Sequence, residues 1–311
     1  MKLQIGRPLA AHASLFLAGA FWGLMAPLGK DAMTHGLTGI DMVSMRVAGG
    51  ALLFWLTSLF LPHEHVPKRD ILLFAGAGLF GLVTNQCCFT IGLSITSPIN
   101  ASIVTTSMPI FAMILAALIL HEPITMKKAL GVAIGCAGAV TLILTSASSG
   151  NARVGDICGD LLCMGAQLSY ALYLSLFNKL VRKYSVVTVN KWMFTYACLI
   201  ILPFTSHHVA NIDFAAVPTS TWWETAFVVG IGTYVAYMLM MVGQTTLRPT
   251  VVSIYNYVQP VVSVIVSVLT GIGVFSPAQG VAIVLVCIGV WMVTKSKSRR
   301  DMENDKTPSS H

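Results

Sequence analysis

The sequence predicts an all-α polytopic membrane protein with ten transmembrane helices in two inverted five-helix repeats. Three observations carry this expectation. Hydrophobic residues make up 55% of the chain and charged residues 10%, whereas a soluble domain carries about a quarter charged residues. The apolar residues fall in blocks of about twenty, the length that crosses ~30 Å of hydrocarbon. A glycine and proline pattern then recurs 151 residues later, with Gly92 on Gly243, Pro98 on Pro249, Ser102 on Ser253, Pro109 on Pro260, Cys136 on Cys287 and Gly138 on Gly289.

The expected spans are 12–33, 40–61, 70–92, 97–120, 126–145, 156–179, 188–206, 220–242, 249–270 and 277–295. Lys2 and Arg7 precede the first apolar run, and Ala18-Gly19-Ala20 lies within it, as in a signal peptide. The run continues well past that point and further spans follow, so the expectation is an uncleaved first span. It carries Trp22 and Met25, while the second span opens with Arg46. The third ends on Asn85 and Gln86. A nearly charge-free hairpin through Gly92 leads to Pro98, Asn100, Thr105 and Thr106 in the fourth, which Pro109 interrupts and His121-Glu122-Pro123 ends. Gly131, Gly135 and Gly138 in the fifth permit close helix approach.

The small polar stretch Thr145 to Asn151 separates the halves, giving a tail at 1–11, a first repeat at 12–145, a linker at 146–155, a second repeat at 156–295 and a basic, then polar, tail at 296–311. Five is odd, so the second copy enters the membrane inverted. Its first span presents Gln167, Tyr170, Leu174 and Asn178 at spacings of three and four. Its third presents Tyr234, Tyr237, Met241 and Gln244. Its fourth opens at Pro249 and carries Tyr255, Asn256 and Gln259 before Pro260.

With ten spans both termini share a side. Placing that side in the cytoplasm puts Lys68, Arg69, Lys127, Lys128, Lys179, Arg182, Lys183, Lys191, Arg248 and the basic tail inside, and leaves Lys30 and Arg153 outside. The net charge of +7 is therefore a topology signal rather than a nucleic-acid footprint. All seven cysteines lie in apolar segments without metal spacing, and the gap histidines lack a third ligand, so no metal and no cofactor is expected.

The aromatic in the first span, Arg46 opening the second, Gly92 and Pro98 about the hairpin, Pro109 in the fourth and Glu122-Pro123 at its end resemble EamA-type members of the drug/metabolite transporter superfamily over residues 12–295. The resemblance implies a carrier of the inner membrane that moves amino acids, other small metabolites or toxic compounds, with a cavity lined by helices 1, 3, 4, 6, 8 and 9. One departure is clear: Gly273 stands where the second copy often repeats the acid of Glu122.

Polar groups at bilayer depth face a cavity or bond a neighbouring helix, because lipid satisfies neither donors nor acceptors. On that ground Trp22, Met25, Asn85, Gln86, Asn100, Tyr170, Asn178, Tyr234, Tyr237, Tyr255, Asn256 and Gln259 are the expected substrate-binding set, an aromatic and amide chamber suited to small amphipathic molecules. Pro98 and Pro249 open helices. Pro109 and Pro260 are expected inside helices, as tolerated kinks or as hinges that free a carbonyl. Lys30, Arg46 and Glu122 are the charged helix-end residues; Arg46 either pairs with Asp41 or Asp31 or receives a carboxylate, and Glu122 anchors near Lys127 and Lys128.

These features favour secondary active or facilitative transport of small organic metabolites by alternating access, in the export direction, within a lipid bilayer. There is no GxxxxGK[ST] loop for ATP. An intramembrane enzyme lacks a Ser/His pair, HExxH or paired mid-membrane carboxylates, and a channel lacks a carbonyl filter or a ring of acids.

Overall fold

The computed structural model describes residues 8–96, 101, 104–147, 157–213, 215–269 and 277–297, and among them every regular element is helical. Pro98, Asn100, Gly273, most of the 146–155 linker and the outer parts of both tails lie outside these residues, as does the side chain of Lys30. In chain order the helices are α1 (Pro8–Thr34), α2 (Gly39–Leu59), α3 (Lys68–Ile95), α4 (Met108–Leu120), α5 (Met126–Ala147), α6 (Ile157–Leu176), a short helix Asn178–Lys183, α7 (Val186–Ala210), α8 (Thr219–Thr246), α9 (249–269) and α10 (Pro277–Thr294). Six of them, α1 to α3 and α6 to α8, are long and apolar enough to cross a membrane; α4 and residues Gly280–Thr294 of α10 form shorter apolar helices.

Local chemistry sets several boundaries. Thr38 caps α2 in a reciprocal box, its hydroxyl accepting from the Asp41 N–H while Asp41 accepts from the Thr38 N–H at 2.9 Å. Ser185 caps α7 with a single bond, its hydroxyl accepting from the Thr188 N–H. His121 ends α4 in the left-handed conformation, φ 54°, turning the chain toward Glu122.

Two irregularities were not foreseen. A π-helical turn interrupts α3 at Leu79–Thr84, and a second interrupts α8 at Gly230–Val235, the equivalent position 151 residues later. Each opens carbonyls to a neighbouring helix: Phe80 accepts from Ser169 of α6 at 2.8 Å, and Gly232 accepts from the Trp22 indole of α1 at 3.0 Å. The interior prolines also differ from expectation. Pro109 lies in the first turn of α4, which restarts after a turn at Thr106 and Ser107. Pro260 is the third residue of the Val258–Leu269 segment of α9, just after the 3-10 turn Tyr255–Tyr257. At both places the missing N–H costs little because the helix is just beginning.

Residues 151 apart meet. Gln86 bonds Tyr237, Tyr257 bonds the Thr106 carbonyl and Cys198 contacts the Val47 carbonyl, all at that separation. The α5 and α10 pair repeats the relation reciprocally, with Gly131 against Gly289 and Gly138 against Ala282. Rising numbers along α5 therefore meet falling numbers along α10, so the pair is antiparallel. Beyond such pairs, α3 packs on α6 as α8 packs on α1, and α4 packs on α6 as α9 packs on α1.

The core runs along these inter-helix seams, through Phe54, Phe74, Tyr173, Phe194 and Tyr257. The outward faces are apolar: Leu59, Phe60, Phe204 and Trp223 are each more than 70% exposed, which fits a hydrocarbon surround and no aqueous one. Lys191 sits 4.7 Å above the Trp55 ring and Lys127 4.9 Å above Trp291, cation and aromatic together as at a membrane interface.

The closest seam is α5 on α10, where a β-carbon on Gly289 would stand 2.6 Å from the Gly135 Cα and 2.7 Å from the Gly131 carbonyl oxygen. Backbone cannot yield as a side chain can, so Gly289→Ala is expected to destabilise the purified protein by about 1–3 kcal/mol. Gly165→Ala, where nothing lies within 4 Å, is the control; equal melting temperatures for the two variants would refute the seam.

Candidate functional site

A chamber opens between the helices, with about 890 Å³ of empty space including its open mouth. Its walls come from α1, α2, α3, the segment before α4 at Thr105, α6, α8 and α9. Of the expected binding set, Trp22, Met25, Asn85, Gln86, Tyr170, Tyr237, Asn256 and Gln259 line it, and Gln167 and Thr105 join them.

The amides and tyrosines bridge helices as well as facing the space. Gln86 Nε2 donates to Tyr237 Oη at 2.6 Å, tying α3 to α8. Asn85 donates to the Ala166 carbonyl of α6 at 2.9 Å. Gln244 donates through Nε2 to Tyr170 Oη and accepts at Oε1 from Tyr173 Oη, both at 2.8 Å, making a polar layer beneath the chamber. Trp22 stands edge-on to Tyr237, ring centres 5.7 Å apart, while its N–H goes to Gly232. These bonds hold the wall side chains in place, since a half-satisfied polar group in a low-dielectric interior is costly.

Three expected residues lie off the chamber, each beside a helix irregularity. Tyr234 belongs to the π-helical turn, which breaks the α-helical stripe to Tyr237; its Oη lies 2.7 Å from Thr57 Oγ1, against Phe54. Tyr255 begins the 3-10 turn of α9 and faces His12, Oη to Nδ1 2.8 Å. Asn178 follows the end of α6 at Leu176 and lines a smaller cleft with Tyr173 and Gln244. Sequence reasoning passed over Phe89, Thr90 and Leu93 on α3, which line the wall three, four and seven residues after Gln86, and Met33 and Met42 near the mouth. The helical periodicity from Gln86 carried the signal for the first three.

The charged residues sort differently. Arg46 is 7% exposed and lines the chamber. Of its two expected roles, pairing with Asp41 or Asp31 or receiving a carboxylate, the first is not seen among the described residues: Asp41 is engaged in the α2 cap, and Arg46 Nε donates to Thr233 Oγ1 at 2.9 Å. Glu122 accepts from Lys128 Nζ at 3.0 Å and weakly from Thr250 of α9 at 3.4 Å, away from the chamber. At the same end of the bundle Asp70 accepts from both Lys183 and Tyr184, and Arg182 donates to the Leu247 carbonyl at 2.7 Å. The Asp70 hydrogen bond holds the Lys183 ammonium above its ordinary pKa. Among the described residues, no cluster of three His, Cys, Asp or Glu side chains could hold a metal.

Apolar-faced helices enclosing an amphipathic chamber fit a membrane transporter. The family assignment is specific. The model of the EamA-like transporter family matches residues 9–144 and again 157–295, and the chain belongs to that family, within the drug/metabolite transporter superfamily. It is 22% identical over 299 residues to the uncharacterized transporter YetK of Bacillus subtilis (strain 168), covering 96% of this chain and 90% of that one. It is 27% identical over 226 residues to the uncharacterized transporter YyaM of the same organism, 72% and 73% covered. An uncharacterized transporter of Archaeoglobus fulgidus is 26% identical over 198 residues, 64% of this chain and 68% of that one. A solved crystal structure aligns with TM-score 0.73 at 18% identity, covering 92% of this chain and 98% of its own, which establishes likeness of fold. The protein is thus an integral membrane protein.

Lys128 is 1% exposed and its partner Glu122 10% exposed as side chains. Glu122→Gln is expected to cost about 3–5 kcal/mol by stranding a buried ammonium, and the double variant Glu122→Gln, Lys128→Met should recover most of it. Melting of the purified variants checks this, and a double variant no more stable than the single one would contradict it.

Proposed function

We propose that the protein is a secondary active or facilitative carrier that exports small amphipathic organic metabolites by alternating access across the cell (inner) membrane. The observation that carries this is a partly open chamber of mixed aromatic and amide walls, lined from both family-matched segments. In this reading ten helices span the bilayer, residues 12–145 and 156–295 are repeats of opposite orientation, 146–155 joins them, and both tails are cytoplasmic. The antiparallel α5 and α10 pair and the contacts between residues 151 apart support a two-fold axis across the helices, hence an inverted pair of repeats.

The chamber walls come from the later halves of α1 and α3, the earlier half of α2 and the middle of α8, which fits a mouth at the end opposite the basic gaps. The other end is closed by the Tyr170, Gln244 and Tyr173 layer and tied by Asp70 to Lys183 and by Arg182 to Leu247. That arrangement fits an outward-open conformer. In an inverted pair, exchanging the conformations of the two repeats would close the mouth and open the basic side, with Pro109, Pro249 and Pro260 at the helix starts that bend and Pro98 as the fourth proposed hinge. A channel-like facilitator is disfavoured by the closed layer, because continuous conduction needs both ends open at once.

Counterflow in proteoliposomes tests the carrier. Labelled small metabolites should exchange with saturation, and Trp22→Ala should slow that exchange about tenfold by removing an aromatic wall. Non-saturable flux through the wild-type protein would eliminate alternating access.

A further inference from the structure

We infer that the chamber holds an anion subsite at Arg46, and that the transported molecule is a monocarboxylate with an apolar or aromatic body. This inference rests on the carrier function proposed above and specifies its substrate class.

Arg46 stands in the wall more than nine-tenths buried. A guanidinium so placed ordinarily has a carboxylate beside it, because an isolated cation in a low-dielectric site is costly. Among the described residues no Asp or Glu pairs with it, and none lines the chamber. Its one hydrogen bond runs from Nε to Thr233. Among the same residues its two terminal nitrogens have no partner, leaving the face that grips a carboxylate with two parallel bonds.

The second π-helical turn orients this group. Thr233 donates its own proton to the Val228 carbonyl, five residues back, at 2.9 Å, so its oxygen can only accept from Arg46. The pairing fixes Nε and keeps the guanidinium from rotating away. Tyr237 adds a donor: its oxygen already accepts from Gln86, which leaves its hydroxyl proton for an acceptor in the chamber. Arg46 and Tyr237 together can serve one planar carboxylate.

The remaining wall decides what the carboxylate is attached to. Trp22, Met25, Met33, Met42, Phe89 and Leu93 provide apolar surface in the same lining as Arg46. Among the described residues the lining carries one cation and no acid, which balances a single negative charge. A phosphate dianion would need further cations, and a zwitterion would leave its ammonium without a counter-charge. An amine cation would meet Arg46 as a like charge.

The test uses wild-type proteoliposomes preloaded with labelled 3-phenylpropionate, with external 3-phenylpropionate, 3-phenylpropionamide, phenylalanine and phenethylamine as competitors. The expected result is saturable exchange in which the carboxylate competes at least about tenfold better than the amide, the strength of a charged hydrogen-bond pair. Arg46→Gln should abolish that preference, Arg46→Lys should retain part of it, and Thr233→Val should weaken it without changing the response to chain length. Carboxylate and amide competing equally in the wild type would overturn the subsite. A preference that persists in Arg46→Gln, with the variant monodisperse and melting near wild type, would overturn it as well. If flux of labelled phenylalanine or phenethylamine saturates while 3-phenylpropionate does not exchange, the subsite fails and the carrier stands; linear leak of all probes removes the carrier itself.

Discussion

Hydrocarbon offers no hydrogen bonds, and most of this structure follows from that deficit. The backbone satisfies itself by coiling into helices. At both π-helical turns, side chains from a neighbouring helix meet the exposed carbonyls, Ser169 at Phe80 and Trp22 at Gly232. The side-chain amides obey the same demand: Gln86, Asn85 and Gln244 each bond across a helix boundary and in doing so set the walls of the chamber. Bridging helices and lining a cavity, which looked like alternatives, are here performed by the same residues.

The duplication is legible in the contacts, and so is the divergence laid over it. Gln86 and Tyr237 hold equivalent positions yet differ in chemistry, which lets one donate to the other. Arg46 has Ala197 as its equivalent, and Thr233 has Leu82, both buried and apolar. Glu122 is matched by Gly273. A duplicated scaffold thus carries an asymmetric chamber, with charge among the described lining residues on one side only. In the proposed inverted arrangement, the parts that move need equivalence and the parts that touch a ligand tolerate difference.

The sequence exposed the repeat, the helix succession and most of the wall because these depend on hydrophobic block length and helical period. Trp22, Met25, Tyr170, Asn256 and Gln259 all reach the chamber. What stayed hidden depends on where that period breaks. Tyr234, Tyr255 and Asn178 were placed by α-helical spacing, and each stands at a π turn, a 3-10 turn or a helix end that redirects it. Arg46 was read against the nearest acids in sequence, whereas its partner Thr233 comes from another helix 187 residues away. No local pattern announces such a partner, because its hydroxyl is aimed by a backbone irregularity rather than by its neighbours in the chain.

The π-helical turn of α8 amounts to one extra residue accommodated inside a helix. An α-helix advances about 100° and 1.5 Å per residue, so relaxing Gly230–Val235 to regular geometry by a single deletion would swing everything downstream, Tyr237 and Gln244 included, by more than a quarter of a revolution. The identity of the chamber is therefore written partly in segment length. Two relatives sharing every wall side chain but differing by one residue in this turn would show their ligands different walls.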